Sequence, residues 1–161
     1  MKRSVFLFIF MCLFSCNQEL NEQEETVSEV ELLFPNFPDQ PFLNINFESL
    51  TLDVFDVLKR QNYQEKQNQV NHYINEVDNI VVIIPESEKL GNFKIFFFDK
   101  NEQFLDDLDH FFTKRAKKTS KKVTSQEFTY YEFDTYKHNF TATIFEMENA
   151  LRINFNLIKK H

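Results

Sequence analysis

The spacing of apolar residues changes several times along the chain, and each change marks a different element. Residues 5–14 form an unbroken apolar run of ten behind Lys2, Arg3 and Ser4. At about 1.5 Å of rise per helical residue the run cannot cross roughly 30 Å of hydrocarbon, so it reads as a secretory signal peptide rather than a spanning helix. Further on, Phe47, Leu50, Val54, Phe55 and Leu58 recur at helical spacing and predict a helix over 48–60 that ends near Lys59 and Arg60. Leu52 and Val57 depart from that stripe, and alternation at Leu50, Leu52 and Val54 leaves a strand open. Tyr63, Gln67, Val70, Ile74 and Val77 step by four and three, which predicts a thin-striped helix lying exposed on a sheet.

Two runs read as strands. IVVIIPE, residues 80–86, is rich in β-branched residues and stops at Pro85; FKIFFFD, residues 93–99, follows a Gly91-Asn92 turn. Both are apolar on both sides, so a covered, central position is expected. Asp99-Lys100-Asn101-Glu102 has capping-box spacing with Asp99 as the cap. Phe104, Leu105, Leu108, Phe111 and Phe112 then make one apolar stripe over about 101–117. In the last forty residues apolar positions alternate around Tyr130, Phe140 to Ile144 and Leu151 to Leu157, with polar breaks near 137–139 and 148–149, which predicts a three-stranded antiparallel meander. No internal repeat is evident. The expected architecture is α+β: about five antiparallel strands with two or three helices packed mainly on one face.

The N-terminal residues carry one specific resemblance. Leu13-Phe14-Ser15-Cys16 resembles the bacterial lipobox, with an aliphatic residue at −3, a small residue at −1 and then the cysteine. The resemblance implies a diacylglyceryl thioether on Cys16, cleavage before it by signal peptidase II, and acylation of the new amino group by a fatty chain such as palmitate. Two or more acyl chains hold a protein on a membrane stably where one does so only marginally. Asn17 after the cysteine resembles lipoproteins sent to the outer membrane of diderm bacteria. The organisation that follows is a signal peptide at 1–15, an acidic flexible tether at 16–33, a Pro-containing strap at 34–46 and one α+β domain at 47–161. Glu19, Glu22, Glu24, Glu25, Glu29 and Glu31 lie between 17 and 31 without a cation, and such a segment repels itself and anionic headgroups. Pro35, Pro38 and Pro41, three apart, would share one edge of a polyproline II spacer.

Charge then narrows the partners. The formal charge of −7 becomes about −9 once Lys2 and Arg3 leave with the leader, which argues against nucleic acid. Both cysteines lie in the first sixteen residues, so the domain has none for disulfides, metals or nucleophilic catalysis. With 21 Phe, 16 Asn and 14 Lys against 1 Gly, 3 Ala and no Trp, the composition follows AT-rich codons, and the phenylalanines read as core packing. One glycine cannot build a phosphate or dinucleotide loop. Asp106 and His110 share a helical face, and Glu132 and Asp134 share a strand face beside Tyr130 and Tyr136, but both pairs read as solvated surface. No metal and no cofactor is expected.

The one charged segment that stands out is KRAKKTSKK. Lys114, Arg115, Lys117, Lys118, Lys121 and Lys122 are six of 18 Lys and Arg in an acidic chain, and are candidates for contact with an acidic partner patch or with lipid or lipopolysaccharide phosphates. The function expected from sequence is a non-enzymatic, lipid-anchored envelope protein that binds a protein or anionic glycolipid partner. The alternative is a structural or assembly subunit of an envelope complex, and a hydrolase using Glu132 and Asp134 ranks last.

Overall fold

The β-branched run at residues 80–83 pairs on both sides with other strands, and a single sheet grows outward from there. The computed structural model describes residues 27–67, 69–122 and 127–158. The signal peptide, the lipobox with Cys16 and the acidic stretch through residue 26 lie outside the described residues. In chain order the described elements are α1 (Glu29–Leu33), α2 (Thr51–Arg60), β1 (Gln64–Glu65), β2 (His72–Asn75), β3 (Ile80–Ile83), β4 (Asn92–Phe98), α3 (Glu102–Arg115), β5 (Lys118–Lys122), β6 (Phe128–Asp134), β7 (Asn139–Met147) and β8 (Ala150–Ile158). All the strands join one antiparallel sheet in the order β1-β2-β3-β4-β8-β7-β6-β5.

This corrects the expected α+β domain with a sheet of about five strands: the sheet has eight and dominates the fold. The additional three are β1, β2 and β5. Residues 63–77 do not form the expected helix. Val70 and Val77 of its supposed stripe are 70% and 91% exposed, while Tyr73 and Asn75, off that stripe, are buried. Pairing explains the outcome: His72 to Asn75 lie against Ile83 to Ile80 in full register, which a helix there would forfeit. β5 is built from the basic segment, whose polar side chains suit an edge where only one side needs pairing.

Each half of the sheet runs helix first and then a four-strand meander, α2 with β1 to β4 and α3 with β5 to β8. The halves meet along β4 and β8, from Asn92 opposite Asn156 to Phe98 opposite Ala150. In α2, Thr51, Val54 and Leu58 are buried while Leu52 is 73% exposed, so the helical period decides the ambiguity at Leu50, Leu52 and Val54. Its C-terminus closes with Asn62 at φ 63°: the Asn62 N–H donates to Lys59 O at 3.1 Å and the Tyr63 N–H to Leu58 O at 3.0 Å. Asn44, Asn71 and Asn79 take the same left-handed backbone, the role glycine would fill in a less glycine-poor chain. The N-cap of α3 is Asn101, which accepts from the Phe104 N–H at 2.9 Å; Asp99, the expected cap, instead sits at φ 57° and accepts from Asn79 Nδ2 at 3.2 Å.

The helices and residues 34–47 cover one face of the sheet. Phe112 of α3, fully buried, lies 4.9 Å from the Phe37 ring, 5.4 Å from Phe34 and Tyr131, and 5.7 Å from Phe133. At the other end Phe55 of α2 stacks on Tyr73 at 5.0 Å. The stretch read as tether end and strap is therefore part of the core: Val30, Leu33, Phe34, Phe37, Phe42 and Ile45 are buried. Pro35 is exposed, Pro38 half-buried and Pro41 buried, so the three do not share an edge. Nor is β4 covered on both sides, since Phe93, Ile95 and Phe97 are buried but Lys94 and Phe98 are exposed.

Truncating the shared ring tests this arrangement. Phe112→Ala is expected to lower the free energy of urea unfolding by about 3–5 kcal/mol. Leu52→Ala on the exposed side of α2 is expected to stay within about 0.5 kcal/mol of the unaltered chain. Equal losses would mean the core is not organised around Phe112.

Candidate functional site

The six residues of the basic segment do not converge. Lys114 and Arg115 end α3, where cations suit the helix dipole. The Arg115 guanidinium lies 3.6 Å from the Phe111 ring centroid and donates to the Phe111 carbonyl at 3.1 Å. Lys117 pairs with Asp134 at 3.2 Å, and Lys121 pairs with Glu127, whose hydrogen bond holds the ammonium pKa above its ordinary value. Lys118 stands opposite Glu132 and Lys122 opposite Phe128. Lys114 and Lys118 have no ion pair among the described residues. The segment is an edge strand whose lysines guard unpaired backbone groups, and β1 guards the opposite edge by being two residues long.

The carboxylate constellations also stay apart. Asp106 and His110 are exposed on α3, and no cluster of three metal-ligating side chains occurs among the described residues. Asp109, their neighbour, accepts a hydrogen bond from the Tyr131 hydroxyl. Glu132 is half-buried, Asp134 is bound to Lys117, and Tyr136 is 96% exposed. Two cavities are found elsewhere. One of about 310 Å³ lies between Asp99, Lys100 and the β7–β8 turn at Glu148. The other, about 300 Å³, lies beside Leu50, Leu52 and Phe55 with Glu86 and Glu88 at its rim. Neither contains Glu132, Asp134 or the basic segment.

The most distinctive surface is the sheet face opposite the helices. Strand alternation sends half the side chains there, and the register aligns them in rows. One row runs Ile74, Val81, Phe96, Arg152, Phe145 and Phe128 across β2, β3, β4, β8, β7 and β6. It spans about 24 Å at roughly 4.8 Å per strand. The Arg152 guanidinium lies 4.2 Å from the Phe145 ring centroid, and Phe145 lies 5.5 Å from Phe128. The next row holds Lys94, Asn154, Thr143 and Tyr130. Burial and the nearby Glu132 carboxylate raise the Tyr130 pKa.

Two atoms at the centre of this face are unsatisfied. Arg152 Nε and Asn154 Oδ1 are shielded from solvent with no hydrogen-bond partner. A buried donor or acceptor left so costs about 1–3 kcal/mol. Arg152 and Lys94 both lack a carboxylate partner among the described residues. Of the 17 phenylalanines described, 12 are buried, as expected of packing residues, but Phe96, Phe98, Phe128 and Phe145 lie on this open face. Arg152, Lys94 and Asn154 escape sequence reading because only cross-strand register unites them. The available signal is the alternation Leu151-Arg152-Ile153-Asn154-Phe155, which sets Arg152 and Asn154 against a buried apolar face.

No protein-family model, curated protein or solved structure matches this chain at a significant level.

The buried tyrosines make stability depend on pH. Burial raises the Tyr63 and Tyr131 hydroxyl pKa values, assisted by the charges of Asp78 and Asp109 respectively, and burial with the Glu65 charge pushes Tyr73 up to about 12. The folded chain therefore holds these protons more tightly than the unfolded chain, in which tyrosine titrates near 10.0. Their stabilisation is complete below about pH 10 and is lost as pH rises towards 12. Urea midpoints measured across this range should fall, and the fall should be shallower in Tyr131→Phe; a flat profile would contradict the burial of these hydroxyls.

Proposed function

We propose that the chain is a lipoprotein held in a diderm cell envelope, on the outer membrane, by acyl chains on Cys16, and that its domain is a non-enzymatic module that binds a partner. The lipobox resemblance supports the anchor. The open, aromatic sheet face supports the binding role and is the observation that carries it. Packing and AT-rich codons account for phenylalanine in a core, but not for four of them on the face of Arg152, which has no carboxylate partner among the described residues. Aromatic residues and arginine are enriched at interface centres, and Phe96, Phe145 and Arg152 stand together here.

Of the two partner classes, protein and anionic glycolipid, the geometry favours protein. A glycolipid surface would be met by the basic segment, yet Lys117 and Lys121 there are already paired with Asp134 and Glu127. Exposed pairs of this kind add little stability, but they offset the positive field a phosphate would feel.

Cys16→Ala should leave the chain unlabelled by palmitate, larger by its uncleaved leader, and released from the membrane fraction after carbonate washing. A chain of unchanged mass and partitioning would end the anchor reading. Separately, Lys114→Glu with Lys118→Glu should leave attachment of the unlipidated chain to phosphatidylglycerol vesicles unchanged in a flotation assay. A severalfold loss would return the glycolipid to first place.

A further inference from the structure

We propose that the sheet face centred on Arg152 receives a segment of a partner protein that presents an aspartate or glutamate carboxylate between apolar side chains. The inference rests on reading the domain as a binding module, and not on the lipid anchor. Its first support is charge. Arg152 of β8 and Lys94 of β4 are diagonal neighbours on the central strand pair, since Lys94 stands opposite Asn154, two residues beyond Arg152. In a chain of 25 acidic residues, none among those described pairs with either cation, whereas Lys100, Lys117 and Lys121 each have a carboxylate. Lys114 and Lys118 also lack an ion pair among the described residues, but Arg152 and Lys94 are the cations of the central strand pair, β4 and β8, beside the apolar row.

The second support is the kind of bond left open. A carboxylate fits the planar guanidinium with two parallel hydrogen bonds, and the flanking Phe145 and Phe96 offer apolar walls on either side of Arg152. Asn154 Oδ1, on the same strand and face, needs a donor instead. A protein segment brings both, a side-chain carboxylate and backbone N–H groups. A phosphate group by itself brings acceptors only and would leave Asn154 unanswered. Apolar side chains on either side of the carboxylate match a row that continues through Ile74 and Val81 on one side and Phe128 on the other.

The test uses the full chain in detergent micelles, with the Arg152 Nε–H resonance as reporter, and two capped peptides. One alternates leucine with aspartate; the other replaces every aspartate with asparagine. The expected result is a saturable shift of the Arg152 resonance by the aspartate peptide, with the asparagine peptide binding about tenfold more weakly or worse. Arg152→Gln should erase that preference while leaving weak apolar binding. Arg152→Lys, which keeps the charge and the aliphatic stem, should retain only part of it and serves if the glutamine variant does not fold. An unmoved Arg152 resonance, or a preference that survives Arg152→Gln, overturns the proposal. So does Arg152-dependent self-association on concentration, which would make the occupant a second copy, or Arg152-dependent binding of phosphatidylglycerol vesicles, which would make it lipid. The same titration with the Cys16→Ala chain separates the two readings, because peptide binding there stands or falls independently of membrane attachment.

Discussion

The ring of Phe112 is where three separate parts of the chain become one structure. It belongs to α3, it stacks on Phe37 from the stretch before α2, and it meets Tyr131, Phe133 and Phe155 of the sheet. Each buried ring of this kind removes apolar area worth roughly 1.5–3 kcal/mol from water, and ring pairs add about 0.5–1.5 kcal/mol more. The constraint behind it is shortage of cover. An eight-stranded sheet needs one face closed, and three helices of 5, 10 and 14 residues are little to close it with. Residues 34–47, with Phe34, Phe37, Phe42, Ile45 and Phe47 buried, supply the remainder. A segment that resembles a linker in sequence is thereby drawn into the core.

Closing one face leaves the other open, and the same alternation that buries Leu151, Ile153 and Phe155 turns Arg152 and Asn154 outward. The two faces obey different economies. On the covered side aromatic rings satisfy one another. On the open side aromatic rings surround a cation and an amide oxygen that nothing in the described chain satisfies. Native structures leave few such atoms without reason. The edges of the sheet follow a third logic, with a two-residue strand at one end and a lysine-rich strand at the other, both of which discourage pairing with further chains.

Legibility in the sequence followed the range of the forces involved. The helices at 51–60 and 102–115 were readable because a one-sided apolar stripe is a local property, as were the strands at 80–83 and 92–98 and the closing meander. Residues 63–77 carry a helical spacing they do not adopt, because the steps between Tyr63, Val70, Ile74 and Val77 are also compatible with a turn between two short strands. The deciding contact, β2 against β3, lies outside the segment's own pattern. The basic segment stands out in sequence by its charge, while its being a strand depends on Tyr131 and its neighbours opposite. Asp99 has the spacing of a cap, but it is held by the Asn79 contact and Asn101, which the spacing does not single out, takes the role.

What the sequence determined alone is therefore what short-range periodicity and composition encode: which stretches are apolar on one side, the absence of any cysteine after residue 16, and a net negative charge. The tertiary structure alone decided the number of strands, the inclusion of residues 34–47 in the core, and the meeting of Arg152 with Lys94, Phe96 and Phe145 on one open face. The division has a physical cause. A side chain's direction on a strand is set by its immediate neighbours, whereas the side chain beside it across the sheet is set by register, and register is fixed by pairing between residues as much as 64 positions apart, as in Asn92 and Asn156.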